Sequence, residues 1–342
     1  MDLPLPPFYD PGSAGRVFRV PYQERADEAK AWAARHRIPP AVEDERRVAL
    51  LLVDVQNTFC LPEHELFVAG RSGRGAVEDC ARIAAFIYRN LARITQVVAT
   101  LDTHTSVQIF HPVFWVDEAG RHPAPHTVIG LGDVESGRWR VNPAIAAAVA
   151  PRPGFDVAGW ARHYVRRLAE GGKYPLVVWP YHSMVGGVGH ALVSVVEEAV
   201  FFHSLARQSP VRIEIKGQSP LTESYSALRP EVTEDPAGSG VAPANRALVD
   251  HLLSFDAVIV AGEAKSHCVA WTVADLLDEI AARDKGLAGK IYLLEDCTSA
   301  VVVPGVVDFT EQADEAFRKF VAAGMHAVRS TTAIREWPGM DK

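Results

Sequence analysis

The stretch DAVIVAGEAKSHCVAWTVADLL, residues 256–277, decides the fold of this chain. It opens with a short apolar run, residues 257–261, which is typical of a buried strand, and Gly262 ends that run. A helical pattern follows from about Cys268. A cysteine at a strand-to-helix turn lies where backbone N–H groups and the positive end of the helix dipole meet, and both stabilise a thiolate. Cys268 is therefore a candidate nucleophile, and a small apolar residue packed under a helix is the alternative interpretation.

Acidic residues stand at the ends of two further apolar runs. Residues 47–55 (RVALLLVDV) predict a central parallel strand buried on both faces, with Asp54 at its carboxyl end. Residues 96–101 (QVVATL) predict a second strand, which Asp102 and His104 follow. Side chains two apart in extended chain point the same way, so this Asp-x-His can present an oxygen and a nitrogen to one divalent ion. A cap on the next loop is the alternative role for Asp54, and the pair can equally be ordinary surface residues.

The remaining pattern alternates strands with helices. Residues 211–216 (VRIEIK) predict a strand that ends in Lys216, residues 290–294 (KIYLL) predict another, and helical patterns separate these runs. Such an alternation predicts a three-layer α/β/α fold with a central, mostly parallel sheet. Parallel strands share one carboxyl edge, so we expect Asp54, Lys216 and Cys268 to converge there. An acid, a lysine and a cysteine together suit nucleophilic catalysis.

Length and composition indicate how the chain is organised and which partners it has. Residues 1–46 are interpreted as an N-terminal arm, and residues 47–342 as a single domain with an insertion at about 105–210. The net charge is −7 without a basic block, which argues against nucleic acid as a partner. No apolar run approaches the roughly 18 residues of a membrane span. Four scattered cysteines form neither metal pairs nor a disulfide framework, so we expect a cytoplasmic protein with reduced thiols.

Five motifs carry a family resemblance. They are DVQNTF at 54–59, DTH at 102–104, WPYH at 179–182, Lys216-Gly217 followed by ESYSA at 223–227, and GEAKSHCV at 262–269. In this order they resemble the nicotinamidase branch of the isochorismatase-like cysteine hydrolases. The resemblance implies the three-layer α/β/α fold of that family and a metal-containing cysteine amidohydrolase.

The resemblance also implies roles for individual residues. The catalytic triad would be Asp54, Lys216 and Cys268. The backbone N–H groups of Ala264 and Cys268 would form the oxyanion hole, next to a cis peptide bond between Glu263 and Ala264.

One divalent metal ion is implied as a cofactor, with zinc as the first choice and iron or manganese as alternatives. Asp102, His104 and His182 would hold it. His111 is a candidate fourth ligand, although its spacing from His104 departs from the family's pattern.

Aromatic residues are implied as the substrate site. Phe59 and Trp179 match positions that sandwich a flat substrate ring, and Tyr225 would line the pocket. Packing in the core is the alternative role for all three aromatic side chains.

The expected activity is hydrolysis of nicotinamide or a related small amide to acid and ammonia, through a thioester on Cys268, by a homo-oligomer. Glu223 stands where the family has an aspartate, and Ser183 where it has a cysteine, so the reaction class is better supported than nicotinamide itself. An isochorismatase-type hydrolase of a different small substrate is one alternative. A non-catalytic scaffold of the same fold is the other.

Overall fold

A six-stranded sheet forms the centre of the computed structural model, which describes residues 3–171 and 174–341. The strands, in chain order, are β1 (Val48–Val53), β2 (Gln96–Asp102), β3 (Trp115–Val116), β4 (Val128–Ile129), β5 (Arg140–Val141), β6 (Leu176–Val177), β7 (Arg212–Lys216), β8 (Ala257–Gly262), β9 (Ile291–Leu294), β10 (Val302–Val303), β11 (Val307–Asp308) and β12 (His326–Val328). The order in the central sheet is β12-β9-β8-β1-β2-β7. The pairs β12–β9, β9–β8, β8–β1 and β1–β2 are all parallel.

Helices cover both faces of this sheet, which confirms the expected three-layer α/β/α fold. They are α1 (Tyr22–His36), α2 (Asn57–Cys60), α3 (Gly75–Arg89), α4 (Leu131–Glu135), α5 (Pro143–Val149), α6 (Val157–Glu170), α7 (Ser194–Ala206), α8 (Arg246–Leu253), α9 (Ala270–Arg283) and α10 (Thr310–Ala322). Among the described residues, no helix is both long and apolar enough to span a lipid bilayer.

Strands β1 and β8 are central because their sequences are apolar throughout. Every residue of both strands is buried. A continuous apolar run of this kind suits a parallel strand that is covered on both faces. The central position puts Asp54, the residue after β1, at the carboxyl edge of the sheet.

The chain divides into two compact units, and the first contains most of the sheet. It comprises Met1–Leu101, Ala191–Glu214 and Arg246–Lys342. Its core includes Leu50 and Leu52 of β1 together with side chains of α3 and α7. Helix α1 packs on α7, where the Arg25 guanidinium donates to Glu198 at 2.7 Å. The assignment of residues 1–46 as an arm and the rest as a single domain stays a prediction.

The second unit comprises Asp102–His190 and Ile215–Asn245. It has its own apolar core around three large, fully buried side chains, Trp115, Trp160 and Tyr164. This unit covers most of the expected insertion at 105–210. Asp102 and Lys216, the last residues of β2 and β7, also belong to it.

Candidate functional site

The turn after β8 is built around Gly262. Gly262 lies opposite Val53 in the parallel pairing of β8 with β1. Its φ is +119°, and a Cβ at this position would lie 2.1 Å from the Val53 carbonyl oxygen. Only glycine fits such a conformation and such a close approach. The next residue donates its N–H to the same oxygen, because Glu263 N lies 2.8 Å from Val53 O.

The peptide bond between Glu263 and Ala264 is cis, which confirms the expectation from the family resemblance. The segment Lys265–Val269 then forms a π-helical turn, and α9 begins only at Ala270. The π geometry is visible in the Val269 N–H, which donates to the Ala264 carbonyl at 3.2 Å. The sequence predicted a helical pattern from about Cys268; α9 begins two residues later, because Cys268 itself lies inside the wider turn.

Cys268 is buried, with 8% of its surface exposed. Its turn is fixed by hydrogen bonds on both sides. The Lys265 N–H donates to the Ser299 carbonyl at 2.8 Å, and the Val301 N–H donates to Ser266 Oγ at 3.1 Å. A thiol at the start of a helix, on an anchored turn, has the surroundings that favour a nucleophile.

Asp54 is fully buried at the end of β1. Thr100 of β2 fixes its position through two hydrogen bonds. The Thr100 hydroxyl donates to Asp54 Oδ1 at 2.5 Å and accepts from the Asp54 N–H at 3.0 Å. The backbone φ of Asp54 is +47°, in the left-handed region. Since Val53 faces Gly262 across the strand pair, Asp54 and the turn that carries Cys268 start from adjacent strand ends in the same unit.

A second group of functional side chains lies in the second unit. Asp102, His104 and His182 are buried, and one ligand atom from each lies within 4.8 Å of the others. Nε2 of His104 is 2.8 Å and Nε2 of His182 is 3.8 Å from Asp102 Oδ2.

The donor atoms of this group suit a divalent transition metal. Nδ1 of His182 lies 2.8 Å from the Pro180 carbonyl and Nδ1 of His104 lies 3.2 Å from the Gly217 carbonyl, contacts that only an N–H makes. Both rings therefore turn Nε2 towards the Asp102 carboxylate, in the tautomer that metal-binding histidines adopt. Two imidazole nitrogens and one carboxylate oxygen are ligands that zinc, iron and manganese accept.

Burial alone would lower the pKa of His104, but the Asp102 carboxylate beside it raises that pKa above its ordinary value. Burial lowers the pKa of His182 to about 3, so its ring is neutral. Burial alone would raise the pKa of Asp102, but His104 and Lys216 beside it hold that pKa well below its usual range. The carboxylate is thus ionised.

Lys216 is buried and connects this group to the 223–227 motif. Its Nζ donates to Asp102 Oδ1 at 3.0 Å and to the Ser224 carbonyl at 2.7 Å. Glu223, the residue that departs from the family's pattern, is buried too, and burial raises its pKa to about 7. The sequence did not identify Thr100 and Ser224 as partners of the candidate residues. A hydroxyl inside an apolar strand, as at Thr100, is the signal that could have found the first.

His111 lies near the candidate metal ligands, and two of the candidate aromatic residues contact each other. The ring centre of His111 lies 5.9 Å from that of His104 and 6.0 Å from that of His182. Burial lowers the pKa of His111 to about 4, which leaves a neutral ring. Trp179 Nε1 donates to Tyr225 Oη at 3.3 Å.

The structure thus groups the candidate residues by unit. Asp54, Phe59, Ala264 and Cys268 belong to the first unit, and the candidate metal ligands, Lys216, Trp179 and Tyr225 belong to the second. The joint action of Asp54, Lys216 and Cys268 stays a prediction, as does the substrate site.

Comparison with known proteins supports the fold. No family model matches the chain, and no curated protein matches it. The structure of yeast nicotinamidase bound to the inhibitor nicotinaldehyde is 20% identical, covers 82% of this chain and 99% of its own, and has a TM-score of 0.51. A nicotinamidase/pyrazinamidase from Acinetobacter baumanii is 20% identical over 84% of this chain and 99% of its own, with a TM-score of 0.49. The chain therefore shares the fold of the yeast protein.

Proposed function

We propose that this protein is a metal-containing cysteine amidohydrolase that cleaves a small amide to an acid and ammonia. One observation carries the proposal. The buried Asp54 and the turn that carries Cys268 start from adjacent, register-paired strand ends, where Val53 faces Gly262. Catalysis by a thiol requires a base within its reach, and adjacent strand ends are where such a pair would lie.

The reaction would use the chain's own residues in sequence. Asp54 takes the thiol proton, and the Cys268 sulfur attacks the amide carbonyl carbon. The backbone N–H groups of Ala264 and Cys268 receive the negative charge on the oxygen. Asp54 then gives its proton to the amide nitrogen, so that the C–N bond breaks, ammonia leaves and a thioester remains.

Hydrolysis of the thioester would regenerate the enzyme. Asp54 removes a proton from water, the resulting hydroxide attacks the thioester carbonyl, the C–S bond breaks to release the acid, and the proton on Asp54 returns to the Cys268 sulfur. Lys216 contributes positive charge, which favours the thiolate over the thiol. Asp54 therefore acts as base, acid and base in turn, which explains why a buried carboxylate is needed.

Asp102, His104 and His182 would hold one divalent ion, zinc by preference, with His111 as a candidate fourth ligand. When bound, the ion supplies a Lewis acid that orients the substrate or a water molecule. Asp102 also pairs with Lys216 at 3.0 Å, so the same carboxylate would link the ion to the lysine.

The proposed substrate is flat, because Phe59, Trp179 and Tyr225 would contact it with aromatic rings. The yeast protein with this fold was solved with nicotinaldehyde bound, which makes nicotinamide the first amide to test. Glu223 and Ser183 depart from the nicotinamidase pattern on the substrate side, so related amides belong in the same panel. The cytoplasmic location and the homo-oligomeric state stay predictions from the sequence.

Ammonia release from a panel of small amides, nicotinamide included, tests the proposed activity. We expect wild type to release ammonia from at least one amide and Cys268→Ala to release none above background. Cys297→Ala is the matched control, since Cys297 is also a buried free cysteine, and it should retain activity. Release that persists in Cys268→Ala would reject the thioester.

Elemental analysis of the purified protein tests the metal site separately. We expect about one equivalent of a divalent transition metal in wild type. His182→Ala should lose most of it, and His326→Ala, which changes a histidine of the edge strand β12, should not. Equal metal content in all three proteins would remove the site from the proposal.

A further inference from the structure

A pair of buried carboxyl groups lies against the nucleophile turn, and the proposed reaction uses neither. Glu263 forms the cis peptide with Ala264, and 1% of its surface is exposed. Asp79 on α3 is equally buried. The two carboxyl groups lie close to each other, because Ser299 contacts both of them.

Ser299 connects both acids to the turn. Its N–H donates to Glu263 Oε2 at 3.3 Å, and its hydroxyl donates to Asp79 Oδ2 at 2.5 Å. Its carbonyl accepts the N–H of Lys265 at 2.8 Å. Glu263 is therefore held at two points, by β1 through its backbone N–H and by Ser299 through its carboxyl group.

The surrounding charges decide which acid carries the proton. Burial raises the pKa of Asp79 above its ordinary value, but Arg82 Nη2 donates to Asp79 Oδ1 at 2.7 Å and so favours ionisation of Asp79 over that of Glu263. Burial and the Asp79 charge raise the pKa of Glu263 well above its ordinary value. The other titratable groups around the pair are thiols and one acid: Cys80 of α3, Cys60 of α2, and Asp296 and Cys297 after β9.

We propose that Glu263 is a positioning residue: its buried carboxyl group, by accepting from Ser299 beside the Asp79 carboxylate, holds the turn that presents Cys268. The inference rests on the proposed function, in which Cys268 is the nucleophile. The site requires a hydrogen-bond acceptor at residue 263, and it does not require a charge, because two buried carboxylates beside each other repel. Glutamine meets this requirement because its amide oxygen accepts as the carboxyl oxygen does. Leucine has a similar size and offers no acceptor.

The rate at which iodoacetamide alkylates Cys268 measures the position and environment of the sulfur without any amide substrate. Peptide mass spectrometry identifies the labelled cysteine, with Cys268→Ala as the blank. We expect Glu263→Gln to react within about threefold of wild type, and Glu263→Leu to react at least tenfold more slowly with an unchanged near-UV circular dichroism spectrum. A wild-type rate in Glu263→Leu, or an equal loss in both variants, would overturn the inference.

A milder variant covers the case in which Glu263→Leu does not fold. Ser299→Ala removes only the hydroxyl that orients Asp79, and we expect it to slow alkylation of Cys268 at least threefold. A wild-type rate in Ser299→Ala would also overturn the inference. Because alkylation needs no substrate, a protein that hydrolyses no amide but shows this pattern would refute the proposed function and leave the positioning role in place.

Discussion

Replacing Gly262 by alanine should destabilise the first unit strongly. The added Cβ would lie 2.1 Å from the Val53 carbonyl oxygen, whereas ordinary contacts begin at 3.4 Å. The strands would have to separate locally by 1.3 Å (3.4 − 2.1), which would break the 2.8 Å hydrogen bond from Glu263 to Val53. The backbone conformation costs about 1–3 kcal/mol for a residue other than glycine. The lost hydrogen bond adds about 1 kcal/mol. We therefore expect a loss of about 3 kcal/mol.

Thermal unfolding followed by circular dichroism measures this effect. At about 2–4 °C per kcal/mol, Gly262→Ala should melt roughly 6–12 °C below wild type. Gly289→Ala is the matched control, because its Cβ would meet no atom within 4 Å. That variant should melt within about 2 °C of wild type. If both alanine variants melted at the same temperature, the close approach of β8 to β1 could not be the reason for a glycine here.

Two further predictions concern the helical layer of the first unit and the core of the second. Burial lowers the pKa of His203 to about 4, so the unfolded state binds a proton that the folded state does not, and stability is lost as the pH falls from about 6.5 to 4. The corresponding loss of stability is about 3 kcal/mol. Urea unfolding at pH 7 and at pH 4.5 measures this loss, which should be smaller in His203→Gln than in wild type. An equal loss in wild type and in His203→Gln would show that His203 is not the group responsible. Trp160 Nε1 donates to the Leu221 carbonyl at 2.8 Å, so Trp160→Phe should lower the free energy of unfolding by about 1–3 kcal/mol. Trp139→Phe is the control, because the indole N–H of Trp139 has no hydrogen-bond partner among the described residues. If it lowered the free energy of unfolding as much as Trp160→Phe does, the smaller ring and not the lost hydrogen bond would be responsible.

The sequence predicted the central sheet well because its two central strands, β1 and β8, are apolar on both faces. Strands β1, β2, β8 and β9 lie close to their expected bounds. A run such as VALLLV is too short for a helix and too apolar for a surface, so few alternatives remain. The polar residue that follows each run, as Asp54 follows β1, then locates the carboxyl edge of the sheet.

Features that depend on contacts between distant segments were out of reach of the sequence. A π-helical turn of five residues has no periodicity of its own, so Lys265–Val269 could not be separated from α9. Asp79 precedes Cys80 in an amphipathic helix and gives no sign that it contacts Glu263. The candidate metal ligands came from the family motifs, whereas the spacing of Asp102 and His104 alone left a surface position open.

The left-handed backbone of Asp54 has a consequence for how its chemistry can be studied. At a φ of +47°, asparagine and glycine are tolerated far better than alanine or glutamate. A truncation to alanine would therefore mix a conformational penalty with the loss of the proton acceptor. Asparagine keeps the shape and the conformation and removes only the basicity, so it separates geometry from reactivity at this position. The fold itself thus selects the substitution from which a kinetic effect can be read directly.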